Sequence, residues 1–123
     1  MAKKRITPKR GEIYLVNFEP ALGSEIKKTR PAVILQNNVA NEYSPVTIVT
    51  AVTSLNKDDK IYPTEVLIKK SSSIGLKNDS LVLLNQIRTI DKQRLVLKIG
   101  RLNEAAIKHI NEALKISLGL VEI

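Results

Sequence analysis

Residues 12–18, Glu-Ile-Tyr-Leu-Val-Asn-Phe, are apolar on both alternating sets of positions, Ile13 and Leu15 on one and Tyr14, Val16 and Phe18 on the other. A strand with that pattern is buried on both faces, as in a small barrel or at a dimer interface. A polar stretch with Pro20 and Gly23 follows over 20–29, and then Pro31 opens a second strand over 31–35. Proline can begin a strand without costing a ladder bond, and it biases Arg30 towards extended backbone. Residues 37–44 read as a loop or one turn of helix. The β-branched run Val46-Thr-Ile-Val-Thr-Ala-Val-Thr53 reads as a third strand. The polar residues 55–62 are expected to be a mobile connection, 64–68 a short strand and 71–75 a turn or brief helix. A long strand over 80–90 is expected to bend near Asn85, with a turn over 91–94 and another strand over 95–99. Asn103 is a suitable N-cap for a helix that runs to about residue 118 and stops at Gly119. Ile107, Ile110, Leu114 and Leu118 fall on one stripe of it. The expected class is therefore β-rich, mainly β with a C-terminal α-helix, in a small barrel.

Composition narrows the chemistry more than the fold. At 123 residues, 43% hydrophobic and 26% charged, the chain is one globular domain. Its only aromatics are Tyr14, Phe18, Tyr43 and Tyr62, so the core must be built from Ile, Leu and Val. There is no apolar run of about 18 residues that could span a membrane, and the basic start of the chain lacks the apolar stretch of a signal peptide. Zero cysteines exclude disulfides, thiolate nucleophiles and cysteine zinc sites, and fit a reducing cytosol. The net charge of +8 is unevenly spread. Residues 1–10 hold five of the twenty basic groups and none of the twelve acidic ones, leaving +3 on the rest. Much of the polyanion signal is thus a tail, and charge alone does not establish a nucleic-acid partner. Residues 1–8 are expected to form a basic, flexible extension, and 9–123 a single domain.

No metal or other cofactor is expected. The single histidine, His109, has no partner at ligand spacing, and Asp58-Asp59 is a pair of loop acids that face apart. The same histidine would have to meet a serine by chance for triad chemistry, and no phosphate-cradling glycine loop is present. What remains is a set of hydroxyls, amides, cations and a carboxylate: Ser24, Glu25, Arg30, Thr53, Gln86 and Arg88. Each has an ordinary structural explanation when taken singly, such as an edge ion pair for Arg30 or a strand-end position for Thr53.

Taken in order, a longer series of blocks resembles one known family. Lys9-Arg-Gly-Glu-Ile-Tyr14, Gly23-Ser-Glu25, Arg30-Pro31, Gln36-Asn37, Ser44-Pro45, Thr50-Ala-Val-Thr53 and Leu84-Asn-Gln-Ile-Arg-Thr-Ile-Asp-Lys92 are similar to the pattern of the MazF/PemK toxin endoribonucleases. The resemblance runs from residue 9 to about residue 120, and the last block is its most specific part. It implies a small SH3-like barrel of the MazF/PemK/CcdB type, acting as a homodimer in the cytoplasm without a membrane. It also implies metal-independent, sequence-specific cleavage of single-stranded RNA by 2′-hydroxyl attack, leaving a cyclic phosphate and a 5′-hydroxyl. On the family pattern Arg30 and Thr53 match the catalytic pair, and Ser24, Glu25, Asn37 and Gln86 match positions at the substrate groove.

The family view gives the arginine a proton-transfer role. A guanidinium with a pKa of about 12 or more is a poor base but a good clamp for two phosphate oxygens, which favours Arg30 as electrostatic stabiliser and Glu25 as the candidate base. Tyr62 is a candidate for stacking on a base. The implied partner is a cognate antitoxin whose acidic, disordered tail lies across the RNA groove. The same fold leaves two alternatives, a non-catalytic toxin that binds DNA gyrase and an inactive RNA-binding module. One departure stands out: Ile26-Lys-Lys-Thr29 replaces the glycines that often follow Gly-Ser-Glu, adding charge and removing backbone freedom.

Overall fold

The computed structural model describes residues 6–20, 23 and 28–122. Six strands form one antiparallel sheet: β1 (Glu12–Asn17), β2 (Thr29–Ile34), β3 (Val46–Ser54), β4 (Glu65–Ile68), β5 (Ser80–Asp91) and β6 (Leu95–Arg101). Their order across the sheet is β4-β5-β3-β2-β1-β6. A short helix, α1 (Asn38–Tyr43), joins β2 to β3, and the C-terminal helix α2 covers Glu104–Ser117. Asn103 caps α2 as its sequence position implies, its side chain accepting from the Ala106 amide at 2.8 Å.

The alternation read from β1 divides the core in two. Ile13, Val33, Val52, Val82 and Leu84 pack with β4 and with Ile110 and Ala113 of α2. Tyr14, Val16, Phe18, Ala32, Ile34, Val49, Ala51, Ile90 and Leu95 form a second cluster on the other face. This second cluster comes from the sheet and the residue that follows β1, with Ile6 packed against it and, among the described residues, no helix residue in it. A sheet can bury one of its own faces in that way only by curling on itself, which makes the fold barrel-like. The barrel is not closed by hydrogen bonds, because β4 and β6 stand at opposite ends of the strand order. Of the extension expected over 1–8, residues 1–5 lie outside the described residues, while Ile6 packs on the second cluster and Pro8 is buried.

The bend expected near Asn85 is a local excess of residues on β5. Pairing with β3 jumps from Thr50–Ile87 to Ala51–Leu83, so Leu84, Asn85 and Gln86 have no partners on β3. The backbone freed there is bonded elsewhere. Thr50 Oγ1 donates to the Leu83 carbonyl, the Leu84 amide donates to the Thr64 carbonyl at 2.9 Å, and Ser117 Oγ donates to the Leu84 carbonyl at 2.6 Å. The last of these ties α2 to the bend.

Residues 37–44 form a true helix because Asn37 caps it, Oδ1 accepting from the Ala40 amide at 2.8 Å. Its one buried residue is Asn41, which is fully enclosed. Asn41 Oδ1 accepts from Gln36 Nε2 at 3.0 Å and Thr47 Oγ1 at 2.7 Å, and its Nδ2 donates to the Gln36 carbonyl at 2.8 Å. Lys92 Nζ donates to the Asn41 carbonyl. A buried network whose side-chain polar groups are paired is stabilising, and removing one member strands the others. Asn41→Ala should cost about 3 kcal/mol and lower the melting temperature by roughly 10 °C. A thermal melt by circular dichroism checks this, and a shift of only a degree or two would mean the network contributes little.

Candidate active site

Arg30 and Thr53 come together through strand register. β2 and β3 pair Ile34 with Val49, Val33 with Thr50 and Ala32 with Ala51. Carried two residues further, the same antiparallel register sets position 30 opposite position 53. Alternation gives both the face of Ala32 and Ala51, opposite to that of Val52, which packs in the first cluster. The ladder itself stops short, because Pro31 has no amide hydrogen to give. Both residues line one cavity of about 360 Å³ at this end of the sheet. Leu15, Pro31, Val52, Leu76 and Ile99 supply its apolar lining, and Ser54, Lys77 and Asn78 add polar groups. Arg30 is exposed and Thr53 half-buried.

Two glycines shape one wall. Gly75 sits at a φ of 69° after a 3₁₀ turn, Ser72–Ile74, and an added Cβ would overlap the Ile99 carbonyl. Gly100 faces the same turn from β6, where a Cβ would overlap the Ile74 carbonyl. Only glycine at both places lets the turn lie against β6, and this contact brings Leu76, Lys77 and Asn78 to the cavity.

The segment between β1 and β2 is held at its base by two arginines of the last sequence block and its continuation. Arg88 donates to the Phe18 carbonyl at 3.1 Å, and its guanidinium lies 5.6 Å from the centre of the Phe18 ring. Arg94 donates to the Asn17 carbonyl at 3.1 Å and also to the Glu19 carbonyl. From the other side, the Phe18 amide donates to the Lys28 carbonyl at 3.1 Å, and Glu19 Oε1 accepts from the Lys28 amide at 2.7 Å. Lys28 adopts a φ of 67°, a left-handed conformation that costs a lysine about 1 kcal/mol relative to a glycine.

The other expected groove residues fare differently. Ser24 and Glu25 lie outside the described residues. Asn37 sits beyond the opposite end of β2 from Arg30, and its side-chain oxygen is engaged in capping α1. Gln86 is half-buried in the irregular part of β5 and does not line the Arg30–Thr53 cavity. The sequence reading did not single out Ser54, Lys77 or Asn78. The polar run Lys77-Asn-Asp79 announces a turn, but nothing in its spacing tells where the turn docks. Among the described residues, no three His, Asp or Glu side chains converge as metal ligands.

A second cavity, of about 580 Å³, adjoins the first and shares Thr53 and Ser54 with it. It lies under the connection between β3 and β4. That connection is tied down by backbone bonds rather than loose: the Leu55 amide donates to the Asp79 carbonyl at 2.9 Å and the Asp59 amide to the Asn56 carbonyl at 3.1 Å.

Known proteins with the same pattern give this geometry a lineage. Residues 9–118 match the family model of the PemK-like, MazF-like toxin of type II toxin–antitoxin systems. The chain is 47% identical to Endoribonuclease MazF of Staphylococcus saprophyticus, over 91% of this chain and 92% of that one. It is 43% identical to Endoribonuclease EndoA of Bacillus subtilis, over 93% of this chain and 97% of that one. The fold is also that of MazF from Deinococcus radiodurans, with a TM-score of 0.78 at 24% identity, covering 94% of this chain and 99% of that one. A mycobacterial endoribonuclease solved in complex with its cognate antitoxin superposes with a TM-score of 0.75, also at 24% identity and over the same shares of the two chains. A family match over most of the chain, joined to the ordered sequence blocks and the curled sheet, decides the matter: the chain belongs to the PemK-like, MazF-like toxin family of type II toxin–antitoxin systems.

Proposed function

We propose that the protein is a sequence-specific, metal-independent endoribonuclease that cleaves single-stranded RNA in the cytoplasm as the toxin of a toxin–antitoxin pair. The observation that carries this reading is the cavity shared by Arg30 and Thr53. RNA brings its own nucleophile, the 2′-hydroxyl beside the phosphate it attacks. The 2′-oxygen forms a bond to phosphorus while the bond from phosphorus to the 5′-oxygen breaks. The 2′-proton passes to a base, and the departing 5′-oxygen collects a proton, leaving a cyclic phosphate and a 5′-hydroxyl. An enzyme for this step needs alignment, a cation for the added negative charge and a donor for an oxygen, rather than a nucleophile of its own. Arg30 suits the charge because its planar fork can bind two phosphate oxygens. Thr53 suits the hydrogen bond to a non-bridging or leaving oxygen. Glu25 is assigned as the base, with Ser24, Asn37 and Gln86 as further contacts to the RNA.

The assembly is proposed as a homodimer. Its support is β6, an end strand that carries Val96 and Leu97 at 55% and 57% exposure, an apolar edge that a monomer would leave to solvent. The antitoxin is proposed to bind through an acidic, disordered tail that competes with RNA for the cations Lys28, Arg30 and Lys77. Residues 9–123 are assigned as the toxin domain, and the basic residues ahead of it as a flexible arm that adds to phosphate attraction.

Purified protein, incubated with a mixed RNA transcript and a chelator, should give discrete cuts. Arg30→Ala should slow them roughly 1,000-fold and Thr53→Val roughly 100-fold, in line with the loss of one transition-state donor. Intact RNA with inhibition of DNA gyrase would overturn the nuclease assignment. The rate of cleavage should fall as pH drops and Glu25 is protonated, and Glu25→Gln should remove that acidic limb; an unchanged pH–rate profile rejects Glu25 as the base. Leu97→Glu should shift the protein from dimer towards monomer in sedimentation analysis, and an undisturbed dimer would place the interface elsewhere.

A further inference from the structure

We propose that the cavity of about 580 Å³ under the β3–β4 connection is a nucleobase subsite that selects adenine, cytosine or guanine over uracil beside the cut. This rests on the endoribonuclease reading and adds a specificity element to it. Three observations carry it. The cavity shares Thr53 and Ser54 with the site of the proposed reaction, so a nucleotide flanking the scissile phosphate reaches it directly. Its volume is within the range of small-ligand sites. Its lining has the wrong sign for phosphate and the right groups for a base.

Among the described residues that line this cavity, Asp58, Asp59 and Glu65 are set against a single cation, Lys60. Two of the carboxylates are partly used to shape the connection. Asp59 Oδ2 accepts from the Asn56 amide at 2.8 Å, and Glu65 Oε1 accepts from the Tyr62 amide at 2.9 Å. The Glu65 amide returns a bond to the Tyr62 carbonyl at 2.9 Å, so Tyr62 is fixed on both sides of its peptide. Asp58 makes no such bond within the connection. A carboxylate accepts hydrogen bonds and gives none, so it matches the amino groups of adenine and cytosine or the N–H edge of guanine. Uracil presents one N–H between two carbonyls, and those carbonyls would face negative charge. Tyr62 is 59% exposed at the cavity and offers an aromatic face, while Leu81 and Leu83 of β5 give an apolar floor. Because the connection is already bonded in place, little ordering is required when a base enters. A bound cation is the competing occupant for paired acids, but the metal-ligand geometry is absent among the described residues.

The test is to sequence the ends cut from a randomised RNA pool by the full chain and its variants. The wild type should disfavour uracil at one position flanking the cut. Asp58→Asn, whose amide can both give and accept, should lower that discrimination about tenfold. Tyr62→Ala should raise KM about tenfold with little change in kcat, and Tyr62→Phe should restore it. The same base preference in the wild type and Asp58→Asn, or an unaltered KM in Tyr62→Ala, would overturn the subsite. If no variant and no wild type cuts RNA, the endoribonuclease reading itself has failed. In that case binding of 2′-O-methyl oligonucleotides differing only in that base decides the subsite separately: equal affinity of the wild type for uracil and cytosine versions rejects it, and a preference that Asp58→Asn abolishes sustains it. Both side chains are exposed, so a melting curve matching the wild type confirms that the variants remain folded.

Discussion

Six strands have two faces to bury, and this chain has one helix of fourteen residues to cover them. The helix and its neighbours take one face; the other has to be covered by the sheet itself. That constraint drives the curl. It explains why β1 is apolar on both alternating sets, and why Ile90 of β5 and Leu95 of β6 share a cluster with Phe18 although the two strands are not neighbours in the sheet. It also explains the three surplus residues of β5, which let a long strand change direction while Thr50, Thr64 and Ser117 satisfy the backbone that the turn releases.

The same curl makes the candidate site. Where β2 and β3 run out, their register holds position 30 against position 53, and the ends of other elements close in around them. Rigid strands supply the two principal groups, whereas segments between strands supply the neighbours. This division suits the proposed reaction, in which alignment and charge stabilisation do most of the catalysis and the substrate provides the nucleophile. Base recognition is better left to connecting segments, which can vary without disturbing the ladder.

Arg88 and Arg94 illustrate how a cation can serve the fold itself rather than a phosphate. Both give hydrogen bonds to carbonyls of residues 17–19, the exit of β1. They thereby fix where the segment carrying Ser24 and Glu25 begins. The high net charge is thus divided among a tail, structural clamps and the cations at the cavity, and its total is a poor measure of affinity for RNA.

Much of the architecture was legible in the residues alone, because local forces write it. Period-two alternation marked the strands, β-branched residues marked β3, and Asn103 with Gly119 bracketed the last helix. The ordered blocks pointed to Arg30 and Thr53 by resemblance. Asn37 has a part that the blocks did not show: its side-chain oxygen caps α1, since Asn serves as an N-cap as readily as a base reader. The connection over 55–62 looked loose because its residues are polar, yet its carboxylates and amides bond within it and to Asp79. By itself, the sequence determined the strands, the terminal helix, the family and the two candidate catalytic residues. Only the tertiary structure decided that Lys77 and Asn78 join the first cavity and that a second cavity shares Thr53, because those meetings depend on the curl of the sheet and on two glycines packed against carbonyls, contacts between residues far apart in the chain.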